Sequence, residues 1–185
     1  IVNRSGSTAD VRLSTAVTVS GNLTLASGVL NANSNNLSVG GNFVIESGTS
    51  YTTGTNITSL NGSLAQVLTV NLASPLSLSS FTVSKPAGVA LTVSGTQATI
   101  NVSSALSIVT GTLNDGGKTI NVSGNIFNSG IAAGAGRISV AGSSAQTING
   151  AGTFTNIELA NTAATPVSLL ANMTVNGTLT FSVNN

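Results

Sequence analysis

Val17-Thr18-Val19-Ser20-Gly21-Asn22-Leu23-Thr24-Leu25 alternates aliphatic and small polar side chains, breaks at Gly-Asn, and alternates again. In an extended chain successive side chains point to opposite faces, so each half turns two aliphatic groups one way and a hydroxyl the other. The stretch therefore reads as two half-buried strands joined by a corner. It recurs as Leu37-Ser38-Val39 before Gly41-Asn42, as Ile100-Asn101-Val102 and Leu106-Ser107-Ile108, and as Ile120-Asn121-Val122 before Gly124-Asn125.

Residues 17–42 lie over 100–125 without a gap. Val19, Leu23, Gly28, Leu30, Asn31, Val39, Gly41 and Asn42 fall on Val102, Leu106, Gly111, Leu113, Asn114, Val122, Gly124 and Asn125. A third copy opens at Met173, where Thr174-Val175, Gly177 and Leu179-Thr180 match Thr18-Val19, Gly21 and Leu23-Thr24. Ile1, Val11 and Leu13 match Ile157, Val167 and Leu169. Two shorter echoes agree: Gly62-Ser63-Leu64-Ala65-Gln66 returns as Gly142-Ser143-Ser144-Ala145-Gln146, and Phe81-Thr82 as Phe154-Thr155. The expected organisation is one repeat array over 1–185. It comprises the end of a preceding unit (1–16), one unit (17–99), a second (100–172) and the start of a third (173–185).

Inside the long repeat lies a short one. Apolar–polar–apolar triplets begin near residues 17, 37, 58, 81, 100, 120, 138, 157 and 173, an interval close to one coil of a β-solenoid. The expected fold is all-β, a parallel β-helix of about nine coils, four to a unit, some 45 Å long at about 4.8 Å per coil. Its core ladder is expected from Val17, Val19, Leu23, Leu25, Leu37, Val39, Ile100, Val102, Leu106, Ile108, Ile120, Val122, Val175 and Leu179. Corners are expected at Gly21-Asn22, Gly41-Asn42 and Gly124-Asn125, with glycine taking φ > 0 and asparagines bonding to one another up the stack. Two tandem β-sandwich domains are the alternative, since they would share the long period.

The 185 residues include five Lys plus Arg, four Asp plus Glu, no His, no Cys and no Trp, beside 52 Ser plus Thr and 22 Asn. A hydrophobic fraction of 41% at a net charge of +1 is the opposite of a disordered composition. Five scattered cations do not form the stripe that nucleic acid requires, so no nucleic-acid partner is expected. No apolar run is long enough for a membrane helix, and no membrane insertion is expected. Ile1-Val2-Asn3-Arg4 has no signal-peptide pattern. Such a surface is hydrated by hydroxyls and amides rather than by ions.

The run Phe154-Thr155-Asn156-Ile157-Glu158-Leu159 through Leu169 and on to Met173–Phe181 resembles the parallel β-helix repeats of very large secreted bacterial adhesin-like surface proteins. So do Leu23–Leu30 and Leu37–Asn42. The resemblance covers nearly the whole chain and implies an extracellular or cell-surface location, often reached through the type IX export route. The sorting domain of such proteins is not in this sequence.

Chemistry is sparse. The acids are Asp10, Glu46, Asp115 and Glu158, and none recurs at an equivalent place in a neighbouring coil, as a glycosidase pair would need. Asp115 and Lys118 form the closest acid–base couple, but Asn114-Asp115-Gly116-Gly117 reads as a turn. A Ser-His-Asp triad is ruled out without His. One Asp-Gly-Gly does not make a calcium-binding repeat, and Gly134-Ala135-Gly136 and Gly150-Ala151-Gly152 read as corners, not nucleotide loops. Nine Asn-x-Ser/Thr triplets, at Asn3, Asn22, Asn36, Asn56, Asn61, Asn101, Asn121, Asn172 and Asn176, carry meaning only where a glycosylating host makes the chain. The outward series Thr18, Ser38, Ser59, Thr82, Asn101, Asn121, Ser139, Glu158, Thr174 is too mixed for an ice-binding threonine plane.

The expected function is a non-enzymatic structural or adhesive rod, with no cofactor, no metal and no catalytic residue. Its expected partners are further coils of the same chain or identical copies stacked end to end, with surface glycans or host surfaces as outer contacts. A filament subunit joined by strand exchange and a carbohydrate-active β-helix are the other readings.

Overall fold

The computed structural model describes residues 2–3, 10–165 and 167–182, so Ile1, matched above to Ile157, lies outside the described residues. The strands stack in parallel as a β-solenoid of about eight turns, with coils about 21 residues long. This excludes the sandwich, whose neighbours are antiparallel.

Each coil has three strands, one on each of three faces. Face 1 is built by Val17–Val19, Leu37–Val39, Ile57–Leu60, residues 80–84 and 105–110, Asn125–Asn128, Thr147–Asn149 and Ser168–Leu169. Face 2 runs from Val2–Asn3 through residues 23–25, Phe43–Ile45, Gln66–Val70, Ala90–Ser94, Thr112–Asn114, Ile131–Ala133 and Thr153–Phe154 to Thr174–Val175. Face 3 holds Asp10–Arg12, residues 28–31, Thr49–Thr52, 76–78 and 99–102, Thr119–Val122, Arg137–Val140, Ile157–Leu159 and Leu179–Phe181.

Alternation along each strand sends one aliphatic set inward, and vertical register makes columns of it. One column on face 3 runs Leu76, Ile100, Ile120, Ile138, Ile157, Leu179, and its neighbour runs Leu78, Val102, Val122, Val140, Leu159, Phe181. Of the expected core ladder, Leu23, Leu25, Leu37, Val39, Ile100, Val102, Leu106, Ile108, Ile120 and Val122 are buried. Val17, Val19 and Val175 are half-buried against the core. Leu179 departs from the expectation: it is 43% exposed, because no described strand covers its coil from above. Position overrides residue type on face 1, where Thr58 takes the inward rung between Leu37 and Phe81 and Ile57 faces out.

Four sequence expectations change. The triplets that suggested nine coils follow face 1 as far as residue 81, face 3 from 100 to 157 and face 2 at 173. From Val17 to Ile100 the chain makes eleven strands, hence three and two-thirds turns rather than four. The true counterpart of Phe81-Thr82, eleven strands on, is therefore Ile157-Glu158 and not Phe154-Thr155. Gly21, Gly41 and Gly124 do sit between strands but without positive φ, which falls instead on the repeat-equivalent Gly28 (φ 81°) and Gly111 (φ 74°). What Gly41 and Gly124 supply is closeness, since a Cβ on either would overlap the coil beneath.

Asparagines meet side chain to side chain on face 3, where Asn121 Nδ2 donates to Asn101 Oδ1 at 3.1 Å. At the corners they bond to backbone instead. Asn22 Oδ1 accepts from Asn42 N (2.7 Å), Asn42 Oδ1 from Val67 N (2.9 Å) and Asn125 Oδ1 from Thr147 N (2.9 Å).

Candidate functional site

The titratable groups are spread along the stack and largely bound to it. Asp115 follows Thr112–Asn114 at the corner between faces 2 and 3, as the turn-forming Asn-Asp-Gly-Gly predicts. Its Oδ1 accepts from Gly117 N and from Gly136 N of the next coil, each at 2.8 Å. Burial pushes this carboxyl up, and the two N–H groups hold it back. Lys118 turns away from it and donates to Gly95 O of the coil below at 2.6 Å. Glu46 Oε2 accepts from Asn71 Nδ2 at 2.9 Å, and Asp10 Oδ2 from Asn31 Nδ2 at 3.1 Å.

Arg137 Nε reaches Glu158 Oε2 at 2.6 Å, on the outside of face 3. Glu158 is held below the usual carboxylate range, first by the Ser182 hydroxyl, then by Ser139 and Arg137, against a cost of burial. The four acids thus lie about two or more coils apart. Among the described residues no three acids gather in a group that could hold a metal ion.

A different site recurs once per repeat: the Gly-Ser-x-Ala-Gln loop. Gln66 closes the loop 62–66 at the corner between faces 1 and 2, with Nε2 donating to Val39 O (2.9 Å) and to Gly41 O of the preceding coil. Its Oε1 accepts from Gly62 N at 3.1 Å. From the following coil Lys85, only 1% exposed, sends its ammonium to Gly62 O and Leu64 O, each at 2.8 Å, and to Gln66 Oε1. Burial draws this ammonium down to about 8, although three oxygen acceptors favour its charged form.

The loop 142–146 is closed in the same way at the corner between faces 3 and 1. Gln146 Nε2 donates to Val122 O (2.9 Å) and Gly124 O, and its Oε1 accepts from Gly142 N at 2.7 Å. Asn161 Nδ2 takes the place of Lys85, donating to Ser144 O (2.8 Å) and Gln146 Oε1 (2.6 Å). In both loops the three residues before Gln are exposed, Leu64 by 77%. The structure thus presents a short hydroxyl-bearing tip on a rigid base made from three successive coils. Sequence comparison of the two copies finds the loop; it does not find Lys85 and Asn161, which differ in type.

The rest of the surface is laddered. On face 1 Thr18, Ser38, Ser59, Thr82 and Ser107 stand in register, followed by exposed Phe127 and Asn149. On face 3 a cleft of about 350 Å³ separates Thr49–Tyr51 from 73–77, with Tyr51 at its wall. Burial pushes the Tyr51 phenol up, opposed by its hydrogen bonds with Thr58 and Asn56. At the last described coil Leu169, Leu170, Met173, Val175 and Leu179 line an open apolar hollow. Leu169, Val175 and Leu179 each continue a core column from the coil below.

No family model, curated protein or solved structure matches this chain.

Proposed function

We propose that the chain is a non-enzymatic extracellular rod, a section of a bacterial surface fibre or adhesin. One observation carries the reading: side chains able to do chemistry are used to hold coils together. Lys85, Lys118 and Asp115 all end on backbone groups of other coils. The likeness of the repeats to adhesin-like β-helices and the hydroxyl ladder of face 1 give it further support. The rungs at Leu169, Leu179 and Phe181 supply a surface on which a further coil, or an identical copy, would bury apolar area at about 25 cal/mol per Å².

The test is a pair of measurements on the same preparation. Beads coated with the chain should be retained on glycan-bearing or host-cell surfaces, and neutral or acidic polysaccharides incubated with it should stay intact. Polysaccharide turnover that is lost in Asp115→Asn or Lys118→Met would overturn the reading in favour of a carbohydrate-active β-helix.

A further inference from the structure

Eleven strands separate Val17 from Ile100, and eleven more separate Ile100 from the strand Thr174–Val175. Between the matched positions Val19, Val102 and Val175 the second interval is ten residues shorter, yet it holds the same number of strands. At three strands per coil, eleven make three and two-thirds turns, so each copy begins one face behind the last: Val17 on face 1, Ile100 on face 3, Thr174 on face 2.

We propose that this eleven-strand stretch, and not the coil, is the unit by which the array is built, and that it displays its stapled loop on successive corners of the rod. The reason lies in what a strand touches. Each strand rests on the one three places earlier, about 4.8 Å below. That neighbour relation is kept between copies while the face is not. Residues 57–60 lie under 80–83 as 138–140 lie under 157–159. Residues 76 and 78 lie under 100 and 102 as 153–154 lie under 174–175. Residues 81–83 lie under 106–108 as 157–159 lie under 179–181. All three faces bury mainly aliphatic side chains, so a strand is fitted to its rung neighbours and not to a face.

The loop obeys the same rule, since 62–66 stands at the corner of faces 1 and 2 and 142–146 at the corner of faces 3 and 1. One unit raises it by about 18 Å, at about 4.8 Å per turn, and moves it round by a third of a turn. Contacts made through these tips therefore spiral about the rod. They fit separate partners approaching from three sides rather than one flat surface lying along one face.

Two insertions in the full chain decide the matter. The first places a second copy of residues 17–99 after Thr99; it moves every later strand to a new face and sets 17–19 on 76–78, 23–25 on 80–84 and 28–31 on 90–94, the strands that in the parent carry their counterparts 100–102, 106–108 and 112–114. The second places a second copy of residues 17–79 after Ser79; it adds three whole turns, keeps every face and sets 17–19 on 57–60, 23–25 on 66–70 and 28–31 on 76–78. The unit insertion should unfold in one urea transition at or above the parent midpoint and resist protease at its junction. The whole-turn insertion should show a lower midpoint and cleavage at the junction. The reverse order, or equal midpoints and equal resistance, would overturn the proposal.

Discussion

Gln66 and Gln146 each make four equivalent hydrogen bonds, two to carbonyls of the preceding coil, one to the glycine that opens their loop and one to a side chain of the following coil. Three successive coils are thereby fastened at one buried amide, twice, at two different corners of the solenoid.

Truncating either amide should be costly. In Gln66→Ala two carbonyls, one N–H and the Lys85 ammonium lose a partner, and a buried polar group left unsatisfied costs about 1–3 kcal/mol. A loss on the order of 2–4 kcal/mol is expected for Gln66→Ala and for Gln146→Ala. Urea midpoints check it; a change below about 0.5 kcal/mol in both would show that the staple contributes little.

Alkaline pH should stabilise the fold and then destabilise it. Lys85 is drawn from 10.5 down to about 8 by burial. Between those values the unfolded chain binds more protons, so stability rises with pH. Tyr51 is pushed above 10 by burial, so above that pH the native state keeps a proton the unfolded chain has lost, and stability falls. The urea midpoint should climb from pH 8 towards 10 and then turn over. Lys85→Met should abolish the climb and Tyr51→Phe the fall; a Lys85→Met protein that still climbs refutes the assignment.

Gly124→Ala should destabilise where Gly21→Ala does not. A Cβ on Gly124 overlaps the Ser104 carbonyl, a backbone atom fixed by the coil below, whereas a Cβ on Gly21 meets nothing within 4 Å among the described residues. Overpacking of this kind costs about 1–3 kcal/mol. Thermal melts of the two variants give the comparison, and equal melting temperatures would contradict it.

The exposed rungs should govern association. Phe181 is 71% exposed and Leu179 43%. The double variant Leu179→Ser, Phe181→Ser should sediment with less concentration dependence than the parent, at unchanged β-sheet circular dichroism. A parent that stays monomeric at all concentrations removes the end-to-end contact from the proposed function.

The strands and the coil length are legible in the sequence because alternation and a recurring Gly-Asn corner report local geometry. The faces are not, because Val-Thr-Val looks alike on each of them. Leu76–Ser84 and Thr99–Thr110 also pass a corner as continuous strands, with no glycine or asparagine to mark the bend. That is how the shift from face 1 to face 3 between residues 81 and 100 escapes notice. Lys85 is equally hidden: its burial depends on a loop 19 residues earlier whose three oxygens converge only after the chain has wound once around.

The corner asparagines point their acceptors one way. Asn22, Asn36, Asn42, Asn71, Asn125 and Asn156 each receive an N–H from the winding that follows, never the one before. A chain emerging amino end first thus lays down, with each finished lap, the docking points for the next. The molecule is vectorial, and its assembly can proceed by templating from one end without any long-range search.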